Sequence, residues 1–144
     1  MEPKARRRST HVDAPVKRVF DHVKEPANFV AADPAPVELS NLLLTPDGVG
    51  STWETSWRAF GRQLHGVWHR QEYVPNERII DRVSTGATWT FLTTPDPRGG
   101  TTLSLAFEFT TKWPLANKII RWALASQDRQ IDRMLANYKQ RIEA

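Results

Sequence analysis

A chain of 144 residues that is 40% apolar and 25% charged has the balance of one globular domain, residues 1–144, long enough to withdraw about two thirds of its unfolded surface from water. Twenty Lys and Arg against sixteen Asp and Glu leave a net charge of +4; with no basic stripe interleaved with aromatics and no helix-turn-helix pair, nucleic acid is not an expected partner. The absence of cysteine excludes disulfides, thiolate nucleophiles and cysteine-held metals and suits a reducing compartment.

The opening MEPKARRRST carries charge but no apolar stretch, and no later run approaches the length of a bilayer span, so the expected address is the cytoplasm, without stable membrane insertion. Lys4, Arg6, Arg7 and Arg8 read as a solvated strand edge, where charge deters unwanted pairing. Residues 5 to 12 are the first strand. Asp13 then stands as an N-cap with Pro15 in the first helical turn. Val16, Val19, Phe20 and Val23 follow helical spacing, and Pro26 stops that helix near Glu25. PANFVAAD is a second short helix, closed by Pro34 and Pro36.

From Val37 the apolar period becomes two, with turn signals at TPDGVGS, FGRQ, VPNE, STGA and TPDPRGG. Six further strands are predicted, over about 37–45, 51–60, 63–74, 78–84, 87–94 and 101–111. From Pro114 the period is helical again. Ile120, Ala123, Leu124, Ile131, Met134, Leu135, Tyr138 and Ile142 share one stripe, opposite Lys118, Arg129, Asp132, Arg133 and Gln140. This order is an α+β fold: a seven-stranded curved antiparallel sheet wrapped around a long C-terminal helix, with two short helices after the first strand.

Turn lengths set the register. A Gly61-Arg62 loop pairs Phe60 with Gln63, Trp57 with Gly66, Thr55 with Trp68 and Trp53 with Arg70. A four-residue VPNE loop pairs Trp68 with Val83, Arg70 with Asp81 and Glu72 with Ile79. A Thr85-Gly86-Ala87 loop sets Val83 against Trp89 and Asp81 against Phe91, and the last hairpin sets Phe91 against Leu105 and Trp89 against Phe107.

One face then gathers Trp53, Trp57, Trp68, Trp89, Phe91, Phe107 and Phe109, with Ile79, Val83, Leu103 and Leu105. The other carries Glu54, Ser56, Arg58, Gln63, His65, His69, Arg82, Thr88, Thr90 and Glu108. Rings this bulky either fill a core or wall a hollow.

The same register puts Arg70, Glu72 and Asp81 on the apolar face. Buried charge persists only when paired. Two readings stand open: Arg70 as a clamp for a ligand carboxylate, phenolate or enolate, with Asp81 orienting it and acting as acid or base, or a half-solvated structural ion pair at the sheet rim. His65 and His69 lie about 13 Å apart along a strand on the outer face, too far to share a metal ion, and Glu54 is expected to pair with His69. Phosphate-loop, zinc and G-x-S-x-G motifs are missing, and neither a metal nor another cofactor is expected.

The segments VDAPVKRVFDHVKEPANF, GVGSTW, Pro75 and Arg78 of EYVPNERII, RGGTTLSLAFEF and LANYKQRIEA resemble the SRPBCC superfamily, the START-like or polyketide cyclase/dehydrase group. The resemblance covers nearly all of residues 5–144. It implies the helix-grip fold, in which the paired short helices close one end of a cavity between sheet and C-terminal helix, and it implies a small hydrophobic ligand. Members of the group bind lipids, steroids, polyketides or plant hormones, and some cyclise and dehydrate poly-β-ketone chains. Carrier and cyclase are therefore both open, as is an interaction module using the basic N-terminus and the apolar group Trp113, Leu115, Ile119 and Trp122. The expected state is a monomer or homodimer.

Overall fold

The computed structural model describes residues 4–59, 61–109 and 117–144, without the side chains of residues 4, 5, 59 and 117–126. Strand β1 (Lys4–Val12) leads into helices α1 (Val16–Val23) and α2 (Pro26–Ala32). Strands β2 (Val37–Leu43), β3 (Thr52–Ala59), β4 (Arg62–Val74), β5 (Arg78–Val83), β6 (Ala87–Pro95) and β7 (Thr101–Phe109) follow, and α3 (Asn117–Glu143) closes the chain. All seven strands form one sheet in the order β1-β7-β6-β5-β4-β3-β2, and every described pairing is antiparallel. The expected beginning of the last helix at Pro114, and the end of β7 beyond Phe109, lie outside the described residues.

Helix α1 buries Val19, Phe20 and Val23, the stripe that its spacing dictates. Its cap differs from expectation. Pro15, in extended conformation, is the N-cap, and no side chain among the described residues caps the helix. Asp13 instead donates its backbone N–H to Glu143 Oε2 at 2.8 Å, so the residue serves the junction with α3. Helix α2 begins with a proline at its first turn and buries Pro26, Phe29 and Ala32, which faces both short helices inward.

The described half of α3 buries Ile131, Met134, Leu135, Tyr138 and Ile142 and exposes Arg129, Asp132, Arg133 and Gln140. Its partners are β1, the short helices and β7. Arg8 grips Asp132 through two hydrogen bonds of 2.9 and 3.0 Å, Arg6 lies 3.5 Å from Asp128, and Lys139 Nζ donates to the His11 carbonyl. Two of the N-terminal arginines thus bridge the sheet edge to the helix. Asn137 donates to the Ala32 carbonyl at 2.9 Å and Arg18 to the Ile142 carbonyl.

Glu143 also accepts from Lys139, and this cation with the Asp13 N–H holds its carboxyl below the ordinary value of 4.5. A depressed carboxyl contributes stability that is present above its unfolded pKa and is lost as pH falls through the folded one. Wild-type stability is therefore expected to decline in acid below that ordinary value, with Glu143→Gln showing a shallower decline in parallel urea titrations. The contribution is small because the carboxylate is solvated.

Three turns differ from the predicted register. Ala59 pairs with Arg62, giving Trp53 with Trp68, Thr55 with Gly66 and Trp57 with Leu64. The loop precedes Arg62, and each pair shifts by two. Likewise Asp81 meets Trp89 and Ile79 meets Phe91, a shift of two caused by a loop of Ser84, Thr85 and Gly86. A shift of two leaves each side chain on its face. The last hairpin is as expected, with Trp89 on Phe107 and Phe91 on Leu105.

The third difference changes a face. Trp68 pairs with Val83 and Arg70 with Asp81 as expected, but a β-bulge follows and Glu72 then pairs with Ile80 and Tyr73 with Ile79. The extra residue reverses the alternation. Glu72 therefore leaves the apolar face and forms an ion pair with Arg78, with both side chains more than a third exposed. Tyr73 moves inward and packs against the core.

Candidate functional site: an aromatic face around a buried ion pair

Alternation along β3, β4, β6 and β7 places large rings on the concave side, where they touch across strands. Trp53 stacks on Trp68 at 5.8 Å between centroids, and Trp68 on Trp89 at 6.5 Å. Trp89 meets Phe107 edge-on at 4.9 Å, and Phe107 stacks on Phe109 at 6.5 Å. The wall is thus one ladder of rings. Trp53, Trp68, Trp89, Phe91 and Phe107 are buried, whereas Phe109, at the β7 end, and Trp57, outside the ladder on β3, are half-buried.

Two features of this wall were not legible in strand alternation alone. Trp68 Nε1 donates to Thr55 Oγ1 at 2.8 Å, which satisfies the indole that burial would otherwise leave without an acceptor. Phe29 of α2 lies edge-on to Trp68, Trp89 and Phe91 at 5.0, 5.2 and 5.9 Å. One helix residue therefore covers the middle of the ladder.

Arg70 and Asp81 face each other inside. Arg70 Nε donates to Asp81 Oδ1 at 2.9 Å and Nη2 donates to Oδ2 at 3.2 Å, the two-bond geometry in which Arg binds carboxylate best. Their side chains are 4% and 2% exposed, so the expectation of a half-solvated rim pair is incorrect. The pair lies in the core because the central β4 and β5 present it beneath α1. Burial raises the Asp81 carboxyl above the usual aspartate range, and Arg70 draws it partway back.

The third donor, Arg70 Nη1, reaches the Lys24 carbonyl at 2.9 Å. Lys24 is the C-cap of α1, so a cation completes the carbonyl end of that helix, where the helix dipole favours it. The guanidinium carbon also stands 5.0 Å from the Trp53 ring centroid and 5.8 Å from that of Tyr73, within cation–π range. Arg70 is thus held by a carboxylate, a helix end and two aromatic rings.

Tyr73 is itself seated on Gly48, whose φ is +87° and where a methyl group would overlap the tyrosine ring. Gly48→Ala should cost about 1–3 kcal/mol, from backbone strain and overpacking together. It should also loosen Arg70, seen as faster exchange of the Arg70 Nε proton by NMR. An unchanged melting temperature and unchanged exchange would show that the ring moves aside freely.

A further acid caps the end of α2. Asp33 accepts from the Ala35 N–H at 2.9 Å and from Gln130 Nε2 at 3.1 Å, and burial raises its carboxyl above the usual range despite those bonds. On α3, Tyr138 is fully buried, and its ring meets His22 edge-on at 5.8 Å.

The outer face carries a separate polar chain. Glu54 accepts from Asn41 and lies 2.7 Å from His65 Nε2, and His65 Nδ1 lies 3.3 Å from Ser56 Oγ. The partner of Glu54 is thus His65 rather than His69, a consequence of the shifted β3–β4 register. Among the described residues, no three His, Asp or Glu side chains gather as metal ligands. No helix there is long and apolar enough to cross a membrane. Trp113 and Leu115, and the side chains of Ile119, Ile120, Trp122, Ala123 and Leu124, lie outside what is described.

A curved antiparallel sheet with two short helices at one end and a long C-terminal helix defines the helix-grip fold. Residues 6–143 match the family model described as polyketide cyclase / dehydrase and lipid transport, and the chain belongs to that family. Among solved structures, it resembles TTHA0849 from Thermus thermophilus with a TM-score of 0.71 and 15% identity, over 96% of this chain and 97% of the other. The solution structure of the KanY protein aligns at TM-score 0.75 and 12% identity, over 100% of both chains. The di-domain ARO/CYC StfQ from the steffimycin biosynthetic pathway aligns at TM-score 0.73 and 16% identity, over 96% of this chain and 50% of its own. The chain thus spans about half the length of StfQ, and at these identities the likeness is one of fold. No curated protein matches the chain in sequence.

Proposed function

We propose that the chain is a single ligand-binding domain of the cytoplasm, which holds a small hydrophobic, ring-containing molecule between the aromatic face of the sheet and α3. The observation that carries this reading is the continuous ring ladder from Trp53 to Phe109. Stacking and edge contacts with flat rings contribute about 0.5–1.5 kcal/mol per pair beyond burial, so such a wall favours polycyclic molecules over simple chains. Trp57, beyond the ladder on β3, and Phe109, at its β7 end, are half-buried and more open to an incoming molecule than the buried rings of the ladder.

Native mass spectrometry of the protein purified from its own host tests this reading. A reproducible mass increment from a small organic molecule, lost when Trp68 or Trp89 is replaced, is the expected result. Protein found only at its bare mass, with no binding from a panel of polycyclic ketones, would contradict it.

A second reading, cyclisation and dehydration of a poly-β-ketone chain, is favoured by the buried Arg70–Asp81 pair. In that reading Asp81 takes a proton from a methylene between two carbonyls and Arg70 donates to the resulting enolate oxygen. The enolate carbon then attacks a second carbonyl, and the alkoxide so formed takes the proton back from Asp81 to become a hydroxyl; Asp81 next removes the remaining proton of the same carbon and gives it to the hydroxyl, which leaves as water as the carbon–carbon double bond forms. Asp81→Asn keeps an acceptor for Arg70 but removes the base. A cyclase should lose turnover of a supplied polyketide with this change, whereas equal turnover in both proteins would remove the catalytic role.

A further inference from the structure

Among the described residues of α3, Tyr138 is the buried member of the stripe that ends in a hydroxyl. The residue is fully buried, yet its Oη has no hydrogen-bond partner among the described residues. A buried hydroxyl without a partner costs about 1–3 kcal/mol, which an apolar residue in that position would avoid. The His22 Nε2 atom, on the ring that meets Tyr138 edge-on, is likewise buried and without a partner there.

The charged groups that act on Tyr138 are Arg70 of β4, Asp81 of β5 and Asp33, the C-cap of α2; His22 of α1 adds a ring that burial biases toward its neutral form, with Arg141 acting in the same direction. One cation and two carboxylates therefore set the charge around it. Three of the five N–H groups of that cation are already given to Asp81 and the Lys24 carbonyl. Burial, followed by the two carboxylates, pushes the Tyr138 phenol well above its ordinary range, so the group is an O–H donor at any working pH.

We propose that the Tyr138 hydroxyl donates a hydrogen bond to a neutral oxygen, such as a ring ketone, at the inner end of the bound molecule, and that this interior rejects the matching carboxylate. The inference rests on the ligand-binding reading and names the chemistry of the ligand. A ketone oxygen accepts the phenol proton and brings no charge. A carboxylate would meet Asp33 and Asp81 in a desolvated site whose arginine is already engaged, a steep penalty for an ion removed from water.

Calorimetric titration of the wild type and Tyr138→Phe with naphthalene, 2-acetylnaphthalene and 2-naphthoate at neutral pH tests this. The ketone should bind the wild type at least about tenfold more tightly than the carboxylate. Tyr138→Phe should weaken the ketone about 3- to 10-fold and leave naphthalene unchanged. The variant should fold normally, because the lost hydroxyl makes no bond to the described residues. Equal loss or no loss for ketone and hydrocarbon, or a carboxylate bound as tightly as the ketone, overturns the inference while leaving ligand binding intact. Failure of all three probes to bind overturns both.

Discussion

Arg70→Ala or Asp81→Ala alone is expected to destabilise the fold by about 3–5 kcal/mol, because each leaves its partner charged, buried and unpaired. The bidentate bonds and the near-complete burial of both side chains make this one of the most sensitive points in the molecule. Arg70→Ala should be the worse of the two. It also strips the Lys24 carbonyl at the end of α1 and removes the group stacked between Trp53 and Tyr73. Replacing both residues by apolar ones, Arg70→Met with Asp81→Leu, should recover part of the loss, since no charge is then stranded. Urea unfolding of the four proteins checks this, and single variants within about 1 kcal/mol of wild type would show that water reaches the pair.

Trp68→Ala should cost a comparable amount, about 3–5 kcal/mol, for a different reason. Trp68 is the centre of the ladder, stacked on Trp53 and Trp89 and covered by Phe29, so truncation opens a cavity that its neighbours refill only in part. It also removes the donor to Thr55, whose hydroxyl is buried. Trp68→Phe separates the two effects: the ring volume is mostly kept, and the residual cost of about 1 kcal/mol belongs to the hydrogen bond. Trp57→Ala, at a half-buried position, should cost much less. Equal losses at Trp57 and Trp68 would mean that the ladder is not the structural centre of the domain.

The contrast between these residues shows what sequence reveals and what it withholds. Alternation on strands carries face identity with a period of two, so Trp53, Trp68, Trp89 and Phe107 were assignable to the interior even though two hairpin loops each displaced the pairing by two residues. Arg70 opposite Asp81 followed from the same arithmetic. Glu72 did not, because the bulge after Arg70 inserts one residue and exchanges the faces of Glu72 and Tyr73, and nothing in YVPNE marks a bulge rather than a longer turn. The burial of the ion pair depended on α1, whose Lys24 carbonyl lies 46 positions away in sequence from Arg70.

Contacts between helices and sheet were the least legible part. Phe29 belonged to an evident short helix, but its placement over Trp68, Trp89 and Phe91 is a matter of how α2 docks. Tyr138 was readable as a core position by helical spacing, whereas its unpartnered hydroxyl required knowledge of every neighbouring group. The Asp13 cap failed because Pro15 already supplies an extended N-cap backbone and Glu143 competes for the Asp13 N–H.

The rings of the concave wall are proposed to face a bound molecule. Isotope-filtered NMR on the complex with 2-acetylnaphthalene tests it most directly, through intermolecular nuclear Overhauser effects to assigned indole protons. Contacts from the ligand to Trp53, Trp57 or Trp89 are expected. Contacts confined to outward residues such as Leu43 and Val67, which are 70% and 43% exposed, would contradict it.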